Sequence, residues 1–218
     1  MKIAVESVVC AGEELVLTNR RAVFRERERM LICSDVHIGK AAHFRKHGIA
    51  VPTGVMVGDL ERLEFLLEFF KAETLLVAGD LFHASANREI DYFEGWRKRH
   101  RGVKFILVKG NHDRLPMTLY ERLEIEVHRV LERPPFTFLH DGVCGDVREF
   151  CISGHTHPGV LLKGKGRQKI KLPCYRLTEH GLVLPAFSLF TGLTTEAAAG
   201  VCYAFTETGI FKVGEKAR

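Results

Sequence analysis

The sequence predicts a layered α/β fold, a four-layer αββα sandwich formed by a single domain over residues 1–218. Three observations carry that expectation. Apolar runs of strand character alternate with two helix-period segments between residues 30 and 110, as a βαβαβ unit requires. Beyond residue 125 the helical period gives way to a series of short apolar runs, which read as strands of a second sheet packed on the first. At 218 residues, 46% of them hydrophobic and 27% charged, the chain can bury one sizeable core. No internal repeat, low-complexity tract or long linker divides it.

Residues 3–9 and 13–34 alternate or run apolar, broken by turn signals at Ala11-Gly12 and Thr18-Asn19, and read as strands. Within them, Arg25-Glu26-Arg27-Glu28-Arg29 alternates sign at period two. This reads as a solvated edge hairpin, its arginines on one strand face and its charge a guard against aggregation. The other reading is a contact to a phosphate backbone. Residues 58–71 place Leu60, Leu63, Leu67 and Phe70 at helical spacing, with Glu61, Glu64, Glu68 and Lys71 between them. That helix is the crossover that two parallel strands need. Residues 88–101, with Ile90, Phe93 and Trp96, form a second, more polar helix. It closes on Arg97-Lys98-Arg99-His100-Arg101, and cations in a last turn favour the helix dipole. Short strands are expected at 126–131, 136–140, 149–153, 159–162, 169–175, 181–184, 201–206 and 209–213.

Composition bounds the function. A net charge of +5 permits nucleic-acid binding without requiring it. No apolar stretch reaches about 18 residues, so no transmembrane helix is expected. Glu6 interrupts the apolar N-terminus, which is too short for a signal-peptide core; it reads as a first strand, and the protein as cytoplasmic. The six cysteines (Cys10, Cys33, Cys144, Cys151, Cys174, Cys202) form no CxxC pair. They read as buried, reduced thiols rather than a zinc site or a disulfide framework.

Four clusters with metal-binding or phosphate-handling chemistry stand in order: Asp35-Val36-His37, Gly79-Asp80, Gly110-Asn111-His112-Asp113 and Gly154-His155-Thr156-His157. Each follows an apolar run, at 30–33, 74–78, 105–108 and 150–153. Ligands at the tips of neighbouring strands converge on one crevice, where open α/β sheets hold their ligands. Oxygen and imidazole donors without clustered thiolates favour manganese, iron or zinc. The set is too large for one ion, so it points to two metals sharing a carboxylate, as in enzymes that displace groups at phosphorus. Taken singly, each piece has a bland reading: a turn for Asn111-His112-Asp113, a surface loop for Gly154-His155-Thr156-His157. Their joint occurrence in this order argues against it.

These blocks, D-x-H, G-D, G-N-H-D and G-H-x-H, resemble those of the calcineurin-like metallophosphoesterases over about residues 31–160. The resemblance implies that Asp35, His37 and His157 hold one metal and that Asp80 bridges to a second. Asn111 and His155 help hold that second metal. The family needs one more histidine between the third and last blocks, and His140 and His128 are the candidates. His140 is favoured because it ends the run 135–139 at a strand tip, whereas His128 falls mid-strand and reads as structural. The cofactors implied are two divalent ions, manganese first, with iron, zinc or nickel as alternatives. His112 is the expected general acid, and Asp113 its orienting partner.

The stretches Ile38-Gly39-Lys40-Ala41, Gly79-Asp80-Leu81-Phe82-His83, Leu172-Pro173-Cys174, Leu184-Pro185-Ala186-Phe187 and Phe190-Thr191-Gly192 are similar to a narrower group. These are the ligase-associated DNA-damage-response endonucleases (PdeM-like). That similarity implies hydrolysis of phosphodiesters by a hydroxide held between the metals, on DNA in a repair setting. The associated partners would be an ATP-dependent DNA ligase, a helicase and an exonuclease-like protein. Candidate substrate contacts are His83, Lys40 and Arg45, beside the first ligand blocks, and Lys163, Lys165 and Arg167 in the basic hairpin 163–171. Packing and solvation are the bland readings of the same residues. Two alternative functions stand beside this one: a phosphatase or cyclic-nucleotide phosphodiesterase acting on small molecules, and a non-enzymatic DNA-repair partner module. The sequence leaves the oligomeric state open.

Overall fold

The structure, a computed structural model, describes residues 2–52, 54–83, 88–142, 150–196 and 199–214. Its frame is two sheets packed face to face. The first runs in chain order: β1 (Val5–Cys10), β2 (Glu13–Thr18), β3 (Val23–Arg25), β4 (Met30–Cys33), β5 (Thr74–Ala78), β6 (Lys104–Val108) and β7 (Ile125–His128). Its first four strands are antiparallel; β4 to β7 are parallel. Parallel neighbours need crossovers. These are α1 (Lys40–Lys46) and α2 (Val55–Phe69), then α3 (Arg88–Arg99), then α4 (Met117–Arg122). The second sheet holds β8 (Leu131–Arg133), β9 (Phe136–Phe138), β10 (Phe150–Ser153), β11 (Gly159–Lys163), β12 (Lys169–Leu177), β13 (Gly181–Val183), β14 (Val201–Phe205) and β15 (Ile210–Val213). Its order is β15-β14-β12-β13-β10-β9-β8, with β11 paired to β12.

Strand alternation divides the interior in two. Leu31, Cys33, Leu75, Val77, Phe105 and Leu107 face the helices and meet Leu60, Leu63, Leu66, Phe93 and Trp96. Met30, Ile32, Leu76, Ala78, Ile106 and Val108 face the second sheet and meet Phe136, Phe138, Ile152, Tyr175 and Leu182. Each large apolar side chain buried this way contributes about 1.5–3 kcal/mol. The layered α/β sandwich is therefore present, and every α-helix among the described residues belongs to the first sheet's connections. The expected helices over the second sheet are absent from the described residues.

Several elements differ from the sequence reading. The Arg25–Arg29 stretch is no edge hairpin: β3 lies between β2 and β4, and residues Glu26–Glu28 form a 3-10 turn. Arg25 is buried, tied to Glu13 at 2.7 Å and set 5.0 Å above the Phe136 ring, while Arg27 is exposed. The arginines thus do not share a face. The helix expected at 58–71 is found two or three residues earlier, the one expected at 88–101 starts as expected and ends two residues sooner, and α1 and α4 were not anticipated. The strand expected at 126–131 is split at Arg129-Val130, and His128 ends β7 paired with Glu126 at 2.6 Å. Cys10, Cys33, Cys174 and Cys202 are free thiols, but Cys151 is disulfide-bonded, which corrects the reading of reduced cysteines throughout. Cys144 and the first residue of the strand expected at 149–153 lie outside the described residues. No helix among the described residues is long and apolar enough to cross a membrane.

Candidate metal centre

The parallel strands β4, β5 and β6, and the parallel pair β9 and β10, each end in a loop that carries candidate ligands. Asp35 and His37 follow β4, Asp80 follows β5, Asn111 follows β6, His140 follows β9, and His155 and His157 follow β10. Five of these residues have left-handed backbone: Asp35 (φ 56°), His37 (54°), Asp80 (54°), His155 (65°) and His157 (47°). Each such conformation costs on the order of 1–3 kcal/mol and persists only where its surroundings enforce it. Here the enforcement is visible. Asp35 N donates to Gly79 O (3.0 Å) and His37 N to Asp80 O (2.9 Å), so the two loops continue the pairing of their strands.

The donors gather in two groups, in each of which the candidate ligand atoms lie within 4.8 Å of one another: Asp35, His37 and His157, and Asp80, His140 and His155. In the first, His157 Nε2 is 3.0 Å and His37 Nε2 3.8 Å from Asp35 Oδ1. In the second, His140 Nε2 is 3.3 Å from Asp80 Oδ2, 3.2 Å from His155 Nδ1 and 3.1 Å from Asn111 Oδ1. His140 Nδ1 donates to Ala78 O at 3.0 Å, which orients the ring so that Nε2 faces the group. All seven predicted ligands are thus brought together, with His140 and not His128 completing the set. A divalent cation fits this chemistry. Both ring nitrogens of His37 are buried without a hydrogen-bond partner among the described residues, as suits an imidazole whose lone pair can go to a cation.

Close approach explains the glycines of the motifs. A Cβ on Gly79 (φ 90°) would lie 1.9 Å from His140 Nδ1, and one on Gly110 would lie 2.1 Å from Asp80 Oδ1.

Electrostatics follow from burial and proximity. Burial opposes ionisation of Asp35, but hydrogen bonds from His157 and Ser34 outweigh it and hold the carboxyl below its usual pKa. Burial likewise opposes ionisation of Asp80, and its His140 contact reverses the balance. Burial alone would lower His140; the Asp80 hydrogen bond and charge lift it to about 9. Burial and then the Lys40 charge push His37 down to about 2, which keeps its imidazole neutral.

The other predicted site residues divide. The His112 ring is half-buried, stacked on His83 at 4.3 Å and edge-on to His37 at 5.6 Å, and its backbone N donates to Asp80 Oδ1 at 2.9 Å. Asp113 is buried, and its two carboxylate oxygens accept the Phe82 and Gly110 amides at 2.9 Å each. It therefore braces the loops after β5 and β6, and burial raises its pKa to about 6. His83 Nδ1 is buried and unpartnered among the described residues. Lys40 opens α1 half-buried, its pKa lowered by burial against the pull of Asp35 and Asp80. Arg45 instead pairs with Glu89 at 2.6 Å, and Glu89 also accepts the Gly39 amide. Lys163, Lys165 and Arg167 are exposed on the β11–β12 hairpin.

Sequence reasoning missed two supports. The Ser34 hydroxyl sits between Asp35 Oδ2 and Ala78 O. The segment 186–194 walls the centre through backbone bonds: Phe187 N to Ser34 O (2.7 Å), Ser188 N to Asp35 O (3.1 Å) and Thr194 N to His157 O (3.0 Å). Only the quoted resemblance of 184–187 and 190–192 marked that segment, and it suggested no role.

Comparison with known proteins agrees with this geometry. The family model of the calcineurin-like phosphoesterases matches residues 28–177. The crystal structure of Pseudomonas putida nuclease MPE superposes with a TM-score of 0.77 at 33% identity, covering 92% of this chain and 96% of that one. Two further structures are more distant. The protein of unknown function AQ665 from Aquifex aeolicus gives a TM-score of 0.41 at 18% identity, covering 63% of this chain and 82% of that one. Yfce, a phosphoesterase from E. coli, gives 0.43 at 14%, covering 82% of this chain and 88% of that one. No curated protein matches the chain in sequence. The family match spans the five strand tips that gather the donors, so the chain belongs to the calcineurin-like phosphoesterases and is a metal-dependent phosphoric ester hydrolase.

Proposed function

We propose that the protein hydrolyses phosphodiester bonds in DNA, using two divalent cations, manganese first among them. Asp35, His37 and His157 would hold one cation, and Asn111, His140 and His155 the other, with the Asp80 carboxylate shared so as to offset their mutual repulsion. When bound, such a pair supplies an activated water and compensates charge on the phosphoryl oxygens. The chain's own groups do the rest. His112, fixed through its backbone to Asp80, delivers the proton to the leaving oxygen. Asp113 keeps His112 in place by bracing the two loops through the Phe82 and Gly110 amides. Lys40 and His83 border the site as phosphate contacts.

The observation that carries the phosphoesterase chemistry is the pairing of two donor groups beside His112. Support for DNA comes from the basic hairpin and from the nuclease among the similar structures. Lys163 lies six residues beyond His157, about 15–20 Å of extended chain, so the hairpin reaches phosphates several nucleotides from the cleaved bond. Its cations would release counterions from a backbone. A repair setting with a ligase, a helicase and an exonuclease-like partner rests on family resemblance.

The test compares initial rates of manganese-reconstituted protein on a chromogenic phosphodiester and the matching monoester, with His112→Ala alongside. The expected result is a diester preference that falls about 10²–10⁴-fold in the variant while its metal content stays unchanged. A monoester preference would replace this reading with a small-molecule phosphatase.

A further inference from the structure

Apart from the metal centre, a cavity of about 390 Å³ opens beside the turn joining β2 and β3, and none of the metal-centre donors lines it. Three guanidiniums meet there, those of Arg20, Arg21 and Arg62. Arg62 is buried on α2, paired with Asp59 at 2.8 Å and stacked 4.3 Å from the Phe187 ring. Its Nε is buried with no hydrogen-bond partner among the described residues. Arg21 donates to Ala186 O at 2.7 Å, and Arg20 to the Lys2 carbonyl. Neither has a carboxylate partner among the described residues, and Glu207 is the one acid in the lining. Burial, then the charge of Arg62, pushes Arg21 down to about 10. Arg21 and Arg62 are withdrawn from water, which is costly unless an anion joins them, and the guanidinium fork suits phosphate oxygens.

A bare phosphate does not account for the size. A water's share of liquid volume is about 30 Å³, so the cavity exceeds the needs of one small anion several times over. Its volume falls within the roughly 300–1,000 Å³ of small-molecule sites. Much of the remaining wall is apolar: Pro173, Leu189 and Phe205. Phe205 belongs to the buried core behind this wall, and the exposed apolar surface is that of Leu189, beside the half-buried Pro173, an area on which the flat face of a base can rest.

We infer that this cavity binds a nucleotide, with its phosphate on Arg20, Arg21 and Arg62 and its base against Pro173 and Leu189. The site is one segment removed from the metals. Arg21 and Arg62 hold the carbonyls of Ala186 and Phe187, and the amides of Phe187 and Ser188 hold Ser34 and Asp35. The nucleotide is either free or a distant unit of a strand lying across the metals. The inference concerns other residues than the diester reading, and it stands or falls separately.

Amide hydrogen exchange on the manganese-loaded full chain tests it. dAMP should protect peptides spanning 19–21 and 205–207, whereas 2′-deoxyadenosine at the same concentration should not. Arg20→Glu and Leu189→Glu, both at accessible positions, should raise the half-saturating dAMP concentration at least about tenfold with unchanged metal content. A single-stranded oligodeoxynucleotide, added to His112→Ala protein to prevent cleavage, separates the two sources. Protection at lower concentration than dAMP assigns the cavity to the strand; protection by dAMP alone assigns it to a free nucleotide. Protection confined to peptides bearing the metal ligands, equal protection by 2′-deoxyadenosine, or no shift in either variant would overturn the inference.

Discussion

His140 shows how one side chain is made into a ligand. Its Nδ1 is engaged by Ala78 O and its Nε2 faces Asp80, His155 and Asn111, so ring rotation would break both sets of contacts at once. Gly79 makes this possible, since any Cβ there would occupy the space of the His140 ring. Gly79→Ala should therefore displace His140 and lose about one of the two metals, because outer contacts of a ligand govern its affinity. Metal analysis of purified protein checks this, and a variant that retains both ions with wild-type activity would remove the packing argument. Asp80→Asn should be more severe. It removes the carboxylate between the groups, and both metals should be lost or weakened; full loading and full activity would refute the bridging role. At this scale most of the site was legible in the sequence, because metal ligation demands particular side chains at particular strand ends. The roles of Ser34 and Asp113 were not, since Asp113 holds two backbone amides and Ser34 links the Asp35 carboxylate to the Ala78 carbonyl, contacts that leave no residue-type signature in the chain.

At the scale of elements, helices α2 and α3 and the ligand-bearing strands were readable because burial imposes a period on them. The first helix, Lys40–Lys46, buries only Ala41 among its residues, so it carries no apolar stripe to read. The charge-alternating stretch after β3 misled for a related reason: period-two charge suggests a strand face, but tertiary pairing decided the outcome. Arg25 is fully enclosed and donates to Glu13 through two nitrogens, to the carbonyls of Arg133 and Pro134, and pairs with Glu28. It thereby ties β2 and β3 to the turn between β8 and β9, joining the two sheets at one end. The hydrogen bond from Arg25 holds the Glu13 carboxyl below its usual pKa. A carboxyl depressed in the folded state stabilises above its unfolded pKa of about 4.3 and loses that contribution as pH falls through the lower folded value. Glu13→Gln should cost about 1.5–3 kcal/mol near neutrality, the range for hydrogen bonds to charged groups. The deficit should shrink below about pH 4, since the wild-type carboxyl is then protonated as well. Denaturant titrations of both proteins across pH 2.5–7 measure it; a deficit that stayed constant to the lowest pH would show that charge is not the cause.

For the whole molecule, the two sheets meet both in a shared apolar core and at the metal centre. Asp35, His37, Asp80 and Asn111 come from the first sheet, and His140, His155 and His157 from the second. His157 of the second sheet pairs with Asp35 of the first, and His140 with Asp80, so each donor group spans the interface. Bound cations should therefore stabilise the packing of one sheet on the other as well as serve the chemistry. Ligation of the native state alone adds about 2.7 kcal/mol at one hundred times the dissociation constant. A chain of this length gains about 2–4 °C in melting temperature per kcal/mol, so each fully occupied site is worth roughly 5–10 °C. Chelation should lower the melting temperature by at least that amount while unfolding stays a single transition, because the shared core still joins the sheets. Asp35→Asn, which weakens the first group alone, should shrink the chelator shift without abolishing it. A chelator that strips the metals and leaves the melting temperature unmoved would mean that the donor groups are held together by the core alone. The left-handed turns at Asp35, His37, Asp80, His155 and His157 would then be enforced by backbone pairing, not by the ions they surround.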